Sequence, residues 1–228
     1  MTDIVLASHN RGKAAELRAL LSDICGIHVL SLSDIEWLGD IEESGLSFVE
    51  NSIIKASVPA SLGYIGMADD SGLCVDALSG APGIYSARYA GSAESGSAAD
   101  AANRRKLLDD MTVIPMTDRG AAFVCVISLV LPEDCGLVIP ERYRPPCDTV
   151  LPDGVTIEHC ATVCGECRGV VLTEEHGDGG FGYDSLFSSY ELGMTFAEAP
   201  QEAKNRVSHR GRAMSEFIDL LRDIPGLL

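Results

Sequence analysis

Two adjacent carboxylates, Asp69 and Asp70, stand before Ser71 and Gly72. Neighbouring acids resist joint ionisation in a buried setting. A bound Mg²⁺ relieves that repulsion and is the natural companion of phosphates. A second pair, Glu42-Glu43, lies in the loop ahead of an apolar-periodic segment that begins at Phe48. Carboxylates from two loops can converge on one or two metal ions. Each pair also has a plainer reading, an Asx turn for Asp69-Asp70 and a solvated loop for Glu42-Glu43.

Cationic and hydrogen-bonding groups recur at three other places. Ser8-His9-Asn10-Arg11-Gly12-Lys13 lies between an apolar run and a helical pattern. A turn that enters a helix presents unpaired backbone N–H groups and a positive dipole end, which suits phosphate. The spacing is neither that of a Walker A loop nor that of a dinucleotide fingerprint. A capped helix start with a solvated lysine is the local alternative. Gly179-Gly180-Phe181-Gly182-Tyr183-Asp184 surrounds two aromatic rings with glycines. That pattern lets backbone pass close to a flat ligand and offers a ring for stacking, or else forms a tight turn with Phe181 tucked into the core. Lys204, Arg206, His209 and Arg210 bracket a helix start at which Ser208 is the candidate N-cap. These are donors for phosphate or for a purine carbonyl. In a chain with this excess of acid, such a concentration of positive charge stands out from an ordinary solvated patch.

The cysteines give a further candidate. Cys160, Cys164 and Cys167, beside His159, include one Cys-x₂-Cys pair of zinc type. A complete site would show two such pairs, so buried or free thiols are the favoured reading. In a period-two strand, Cys160 and Cys164 share a face and Cys167 takes the other.

The elements that must carry these groups alternate between strand and helix patterns, which indicates an α/β class. Ile4–Ala7 reads as a first strand, and Ala14, Leu17, Leu20 and Leu21 as one face of a helix. Phe48–Gly63 repeats the helical pattern, with Pro59 expected to end or kink it. Tyr64–Ala68 and Leu73–Ala77 read as two strands around an Asp-Asp-Ser-Gly turn, and Ala98–Met111 as a helix polar on one side. Ala121–Leu131 is a nearly continuous apolar run, the pattern of a strand buried on both faces. The proline-rich, aperiodic stretch that follows, about residues 133–157, reads as an inserted loop or flap. Val155–Val163 and Gly169–Thr173 return to strand character, and Glu202–Val207 and His209–Leu221 to helix. No clear linker divides the chain, so residues 1–228 are expected to form a single domain.

Bulk composition sets the outer limits. The 228 residues carry 17 basic and 34 acidic side chains, a net charge of −17, with 46% hydrophobic residues. That is too apolar for a disordered acidic chain. The absence of a long basic run argues against a partner that is a nucleic-acid polymer. A nucleotide is not excluded, because a few lysines and a divalent cation manage a triphosphate locally. The longest uncharged apolar run is about ten residues, whereas a membrane span needs about 20, so no membrane partner is expected. Met1-Thr2-Asp3 supplies no basic region for a secretory signal. The expected location is therefore cytoplasmic, with the eight cysteines mostly reduced.

Taken together, these segments resemble the inosine triphosphate pyrophosphatase family, whose members act on dITP and XTP as well as ITP. The opening family motif stands as Ser8-His9-Asn10-Arg11-Gly12-Lys13, and a helix motif as Ser47–Ala56, with Asn51 and Lys55. The longest signature runs from Ala68-Asp69-Asp70-Ser71-Gly72-Leu73 through Gly80–Tyr89, and the late motifs are Gly180–Asp184 and Ser208-His209-Arg210-Gly211. The order and number of these motifs outweigh the plainer local readings.

The resemblance implies a long mixed β-sheet flanked by helices, two lobes with a nucleotide cleft between them, a homodimer and a Mg²⁺ cofactor. It implies hydrolysis of purine nucleoside triphosphates (ITP, dITP, XTP) to monophosphate and pyrophosphate. By matched position, Asp70 is the catalytic base and a metal ligand. Glu42 is the second metal carboxylate, with Glu43 a close competitor that spacing does not separate from it. Ser8, His9, Asn10, Arg11, Gly12, Lys13 and Ser71 hold the triphosphate. Phe181 stacks on the base, and Gly182, Tyr183 and Asp184 complete its pocket. Lys204, His209 and Arg210 reach phosphate and the purine 6-oxo edge. The chain departs from the family pattern at His9, at Pro59 and in the extra length near 133–157. Those departures motivate the alternative of a catalytically silent nucleotide-binding regulator on the same fold.

Overall fold

The computed structural model describes residues 2–8, 26–92 and 95–228. Within them, seven strands join in the order β2-β1-β3-β4-β5-β6-β7. Strand β1 (Thr2–Leu6) lies parallel to β2 (Ile27–Ser31) on one side and to β3 (Ile65–Val75) on the other. Flanked on both edges, Ile4, Val5 and Leu6 are fully buried, which is why this strand reads as an unbroken apolar run rather than an alternation. Strand β4 (Gly120–Val130) follows β3 in the sheet and is likewise buried along almost its whole length. Beyond it, β5 (Cys160–Val171), β6 (Phe187–Ser189) and β7 (Met194–Thr195) pair in antiparallel fashion, β5 with β6 and β6 with β7. The sheet is thus mixed, as expected of this α/β class. The expected helix through Ala14–Leu21 lies outside the described residues.

Among the described residues, four α-helices accompany the sheet: α1 (Phe48–Ser61), α2 (Ser97–Asp110), α3 (Gln201–Val207) and α4 (His209–Asp223). Helix α1 starts at Ser47, whose hydroxyl accepts the Glu50 N–H, the usual N-cap bond. It tolerates Pro59 in its last turn and ends two residues later at Ser61. Its packing against β3 leaves no room at Gly66, where a Cβ would stand 1.9 Å from the Ala56 carbonyl oxygen. Only glycine lets helix and strand approach this closely.

The chain resolves into two compact units, each built from non-contiguous segments. One comprises Met1–Asp70, Val126–Cys164 and Ala213–Leu228, and the other Ser71–Cys125 and Gly165–Arg212. The first is centred on Val5, Ala7, Leu32, Ile53, Ala56, Ala68, Val130 and Cys160. A buried hydroxyl contact between α1 and β4, Ser52 to Ser128 at 2.6 Å, keeps both groups satisfied in an apolar setting. The core of the second unit includes Leu73, Phe123, Phe187 and Phe196. The Phe123 ring meets Phe187 edge-on at 4.8 Å and stacks on Phe196 at 5.7 Å, the geometries that aromatic quadrupoles favour.

Two strand boundaries differ from the sequence reading. Asp69-Asp70-Ser71-Gly72 forms no turn; it lies in the middle of β3, which continues from Ile65 to Val75. Local turn propensity yields here to the sheet and to partners for the acids in neighbouring elements. Likewise the two segments expected near Val155–Val163 and Gly169–Thr173 are one strand, β5, preceded by a 3₁₀ turn at Ile157–His159. In the unbroken strand β5, Cys160 and Cys164 share a face as expected and Cys167 takes the other; Cys160 and Cys167 are buried and Cys164 is exposed. No group of three or more His, Cys, Asp or Glu among the described residues is placed to hold a metal ion.

The stretch 133–157 is irregular apart from a 3₁₀ turn at Glu141–Tyr143 and the start of the next at Ile157. It belongs to the first unit, and hydrogen bonds to two of that unit's helices help hold it. The Tyr143 hydroxyl donates to Asp223 at 2.6 Å, and the Val150 N–H donates to Glu50 at 3.3 Å.

Candidate active site

In the first unit, chemistry gathers around Lys55. Asn51 and Lys55 are four residues apart on α1 and so share one helix face. That face meets the carboxylate of Asp70 on β3: Lys55 Nζ is 2.9 Å from Asp70 Oδ1, and Asn51 Nδ2 donates to Asp70 Oδ2 at 3.4 Å. Lys55 also reaches Glu43 Oε1 at 3.1 Å. Asn51, fully buried, accepts the Gly45 N–H through Oδ1 at 2.9 Å. A single amide therefore ties the acidic loop to the strand that carries Asp70. Asp69 and Asp70 are both buried, an arrangement that requires compensating positive charge. Burial depresses the Lys55 ammonium, but the attraction of Asp70, Asp69 and Glu43 outweighs it and lifts its pKa above the ordinary lysine value.

This geometry separates the two candidate acids. Glu43 shares Lys55 with Asp70, whereas Glu42 is exposed. Glu43, in place of the expected Glu42, stands at the acid–lysine centre. Spacing alone could not tell adjacent residues apart. Asn51 and Lys55 belong to the Ser47–Ala56 motif, and their four-residue spacing is the sequence signal that places them on one helix face.

In the second unit, a ring and two cations come together. Phe181 is 55% exposed rather than tucked into the core. Lys204 Nζ lies 5.5 Å, and the Arg210 guanidinium carbon 5.8 Å, from its centroid, both within cation–π range. Asp184 positions this group: its Oδ2 accepts Lys204 Nζ at 2.7 Å and the Phe181 N–H at 2.9 Å. Arg210 also reaches Ser71 Oγ at 3.4 Å. Ser208 caps α4 by accepting the Gly211 N–H at 3.1 Å, as the sequence suggested. Gly211 packs so tightly that a Cβ would stand 1.8 Å from the Asn205 carbonyl oxygen, which fixes how α3 leads into His209 and Arg210.

Three of the expected pocket residues are buried and make contacts within the second unit. Tyr183 is buried, and its hydroxyl donates to the Ser86 carbonyl at 2.9 Å. Burial first, then Tyr89 and Asp100, push its pKa up, so it serves as a neutral strut. Asp184 is buried and committed to Lys204 and Phe181. The His209 ring stacks on Phe123 at 4.8 Å. Ser8 lies just past β1, its N–H bonded to the Leu6 carbonyl. The expected phosphate-binding residues His9, Asn10, Arg11, Gly12 and Lys13 lie outside the described residues.

Residues 4–220 match the model of the Ham1 family. The chain is 44% identical over 222 residues to a Geobacter sulfurreducens protein named dITP/XTP pyrophosphatase, covering 97% of each chain. It is also 44% identical over 214 residues to a Haemophilus influenzae protein of the same name, covering 93% of this chain and 95% of that one. Among solved structures, a HAM1 protein from Coxiella burnetii superposes with a TM-score of 0.80 at 36% identity, covering 98% of this chain and all of the other.

Proposed function

The chain belongs to the Ham1 family, and on that footing we propose that it is a nucleotide-pool hydrolase that cleaves dITP, XTP and ITP to the monophosphate and pyrophosphate. The observation that carries the reading is the Glu43–Lys55–Asp70 centre, with Lys55 2.9 Å from one acid and 3.1 Å from the other.

Asp70 accepts the proton of the water that attacks the α-phosphorus. Lys55 and Asn51 hold the Asp70 carboxylate in one orientation, so the base does not have to be ordered at the moment of reaction. Lys55 also places a fixed positive charge beside the oxygens that gain negative charge as the anhydride bond breaks. In the second unit, Phe181 offers an exposed face on which a purine would stack, with Lys204 and Arg210 beside that ring. Donors directed at a 6-oxo group are left unpaired by a 6-amino group, a mismatch that discriminates by orders of magnitude.

A Mg²⁺ cofactor belongs to this proposal. Its support is the donor set: Asp70 and Glu43 supply hard carboxylate oxygens, and Mg²⁺ characteristically uses one or two carboxylates with substrate phosphates rather than a complete protein cage. Asp70 and Glu43 would hold the ion, which when bound would neutralise phosphate charge and polarise the scissile phosphoryl group. A homodimer and a cytoplasmic location are also part of the proposal. The support for both is the family resemblance. No described helix is long and apolar enough to cross a membrane.

The test is pyrophosphate release from dITP, XTP and dATP at equal concentration with Mg²⁺. Turnover of dITP and XTP at least tenfold above dATP is expected. Equal turnover of all three would refute the selectivity for a 6-oxo purine, and binding of dITP without turnover would favour the silent regulator.

A further inference from the structure

Helix α2 is polar where a packed helix is usually apolar; only Asn103 and Leu107 are buried in it. Its polar face is nevertheless occupied. Asp100 and Arg104, four residues apart, share a side of the helix, and both close on one residue of the Phe181 loop. The Gly182 N–H donates to Asp100 Oδ2 at 3.0 Å, and Arg104 Nη1 donates to the Gly182 carbonyl at 2.9 Å. An acid thus meets the N–H and a cation meets the C=O of the same residue, and both bonds are charge-assisted. Gly182 has φ +60°, a conformation that glycine adopts without strain.

The Arg104 side chain is itself held. Its Nε lies 2.8 Å from Glu175 Oε2, which also accepts the Ser185 hydroxyl at 2.8 Å. On the other side of the ring, the Phe181 N–H is bonded to Asp184. The backbone of Phe181 is therefore fixed before and after the residue while its ring stays exposed. Asn103 on the same helix spans the Ala87 carbonyl at 3.1 Å and the Ala90 N–H at 2.7 Å, so bracing loops is what the polar side of α2 does.

We infer that Asp100 and Arg104 form a positioning clamp that pre-sets the Phe181 platform and thereby determines affinity for the purine base. This rests on Phe181 being the base-stacking residue. A ring held in its binding pose loses less freedom when the ligand arrives. Losing the clamp therefore weakens binding in ground and transition states alike, which raises KM and leaves kcat in place.

The experiment is steady-state kinetics with dITP and Mg²⁺ on the wild type, Arg104→Leu, Arg104→Lys, Phe181→Ala and the double variant Arg104→Leu/Phe181→Ala. Arg104→Leu is expected to raise KM about tenfold, the effect of losing a hydrogen bond to a charged group, with kcat within about twofold. Arg104→Lys keeps the charge and guards against misfolding; it loses the forked geometry and should raise KM several-fold. In the Phe181→Ala background, Arg104→Leu should add less than about twofold, because the two act through one ring. Unchanged KM in both Arg104 variants, or full additivity in the double variant, would overturn the clamp. Unchanged KM in Phe181→Ala would instead overturn the stacking role, and a wild type that does not hydrolyse dITP would overturn the proposed function.

Discussion

Lys55 Nζ stands 2.9 Å from Asp70 Oδ1 although fifteen residues separate the two along the chain. The contact exists because α1 packs directly over β3, at a distance that Gly66 alone permits. The same lysine holds Glu43 at 3.1 Å, so a strand, a helix and a loop share one cation.

Removing that cation should stop the chemistry and also cost stability, because buried Asp69 and Asp70 lose their compensating charge. Lys55→Met is expected to lower kcat for dITP by about 100-fold or more, the usual scale for losing a preorganised electrostatic group. Activity within about tenfold of wild type, in a variant with native circular dichroism, would show that Lys55 has only a structural role.

The two glutamates of the acidic loop should behave differently. Glu43→Gln is expected to raise the Mg²⁺ concentration for half-maximal activity by about tenfold or more, the range seen when a group supporting a metal is altered. Glu42→Gln, an exposed position, should leave it unchanged. The reverse pattern would return the metal role to Glu42.

Much of this was legible in the sequence, and the reasons are local. The buried strands β1 and β4 announce themselves as apolar runs, and Ser47 and Ser208 mark helix starts by residue type. The Asp69–Gly72 segment misled because its composition favours a turn; what holds it extended is the surrounding sheet, with Lys55 and Asn51 on a different element. Long-range partners of that kind leave no trace in a local window. The inward roles of Tyr183 and His209 were hidden for the same reason, since their partners, Ser86 and Phe123, lie about ninety positions away in the chain.

Alkaline stability should report on Tyr89. Burial first, then its hydrogen bond to Asp110 and the Asp110 charge, push its pKa up to about 12, whereas an unfolded tyrosine ionises near 10. The folded state therefore keeps a proton that the unfolded state releases. The associated stability is fully present below about pH 10 and is lost as pH rises through the folded pKa. Tyr89→Phe removes the titrating group, so the fall in chemical-denaturation stability between about pH 10 and 12 should be shallower in the variant. Parallel curves for variant and wild type would contradict this.

Gly211 offers a purely steric check on the start of α4. A Cβ there would stand 1.8 Å from the Asn205 carbonyl oxygen, and relieving such a contact costs about 1–3 kcal/mol. Gly211→Ala should lose stability of that order in denaturant melts, together with affinity for dITP, because Arg210 is the adjacent residue. A fully stable Gly211→Ala would show that α3 and α4 adjust freely.

The most direct test follows the oxygen atom of the attacking water. Hydrolysis of dITP in ¹⁸O-labelled water by the wild type, with mass analysis of the products, should give dIMP and pyrophosphate in equal amounts, with the label in dIMP, and Asp70→Asn should abolish both. Inorganic phosphate with dIDP as products, label in the pyrophosphate, or an Asp70→Asn variant with near-native turnover would contradict an Asp70-directed attack on the α-phosphorus.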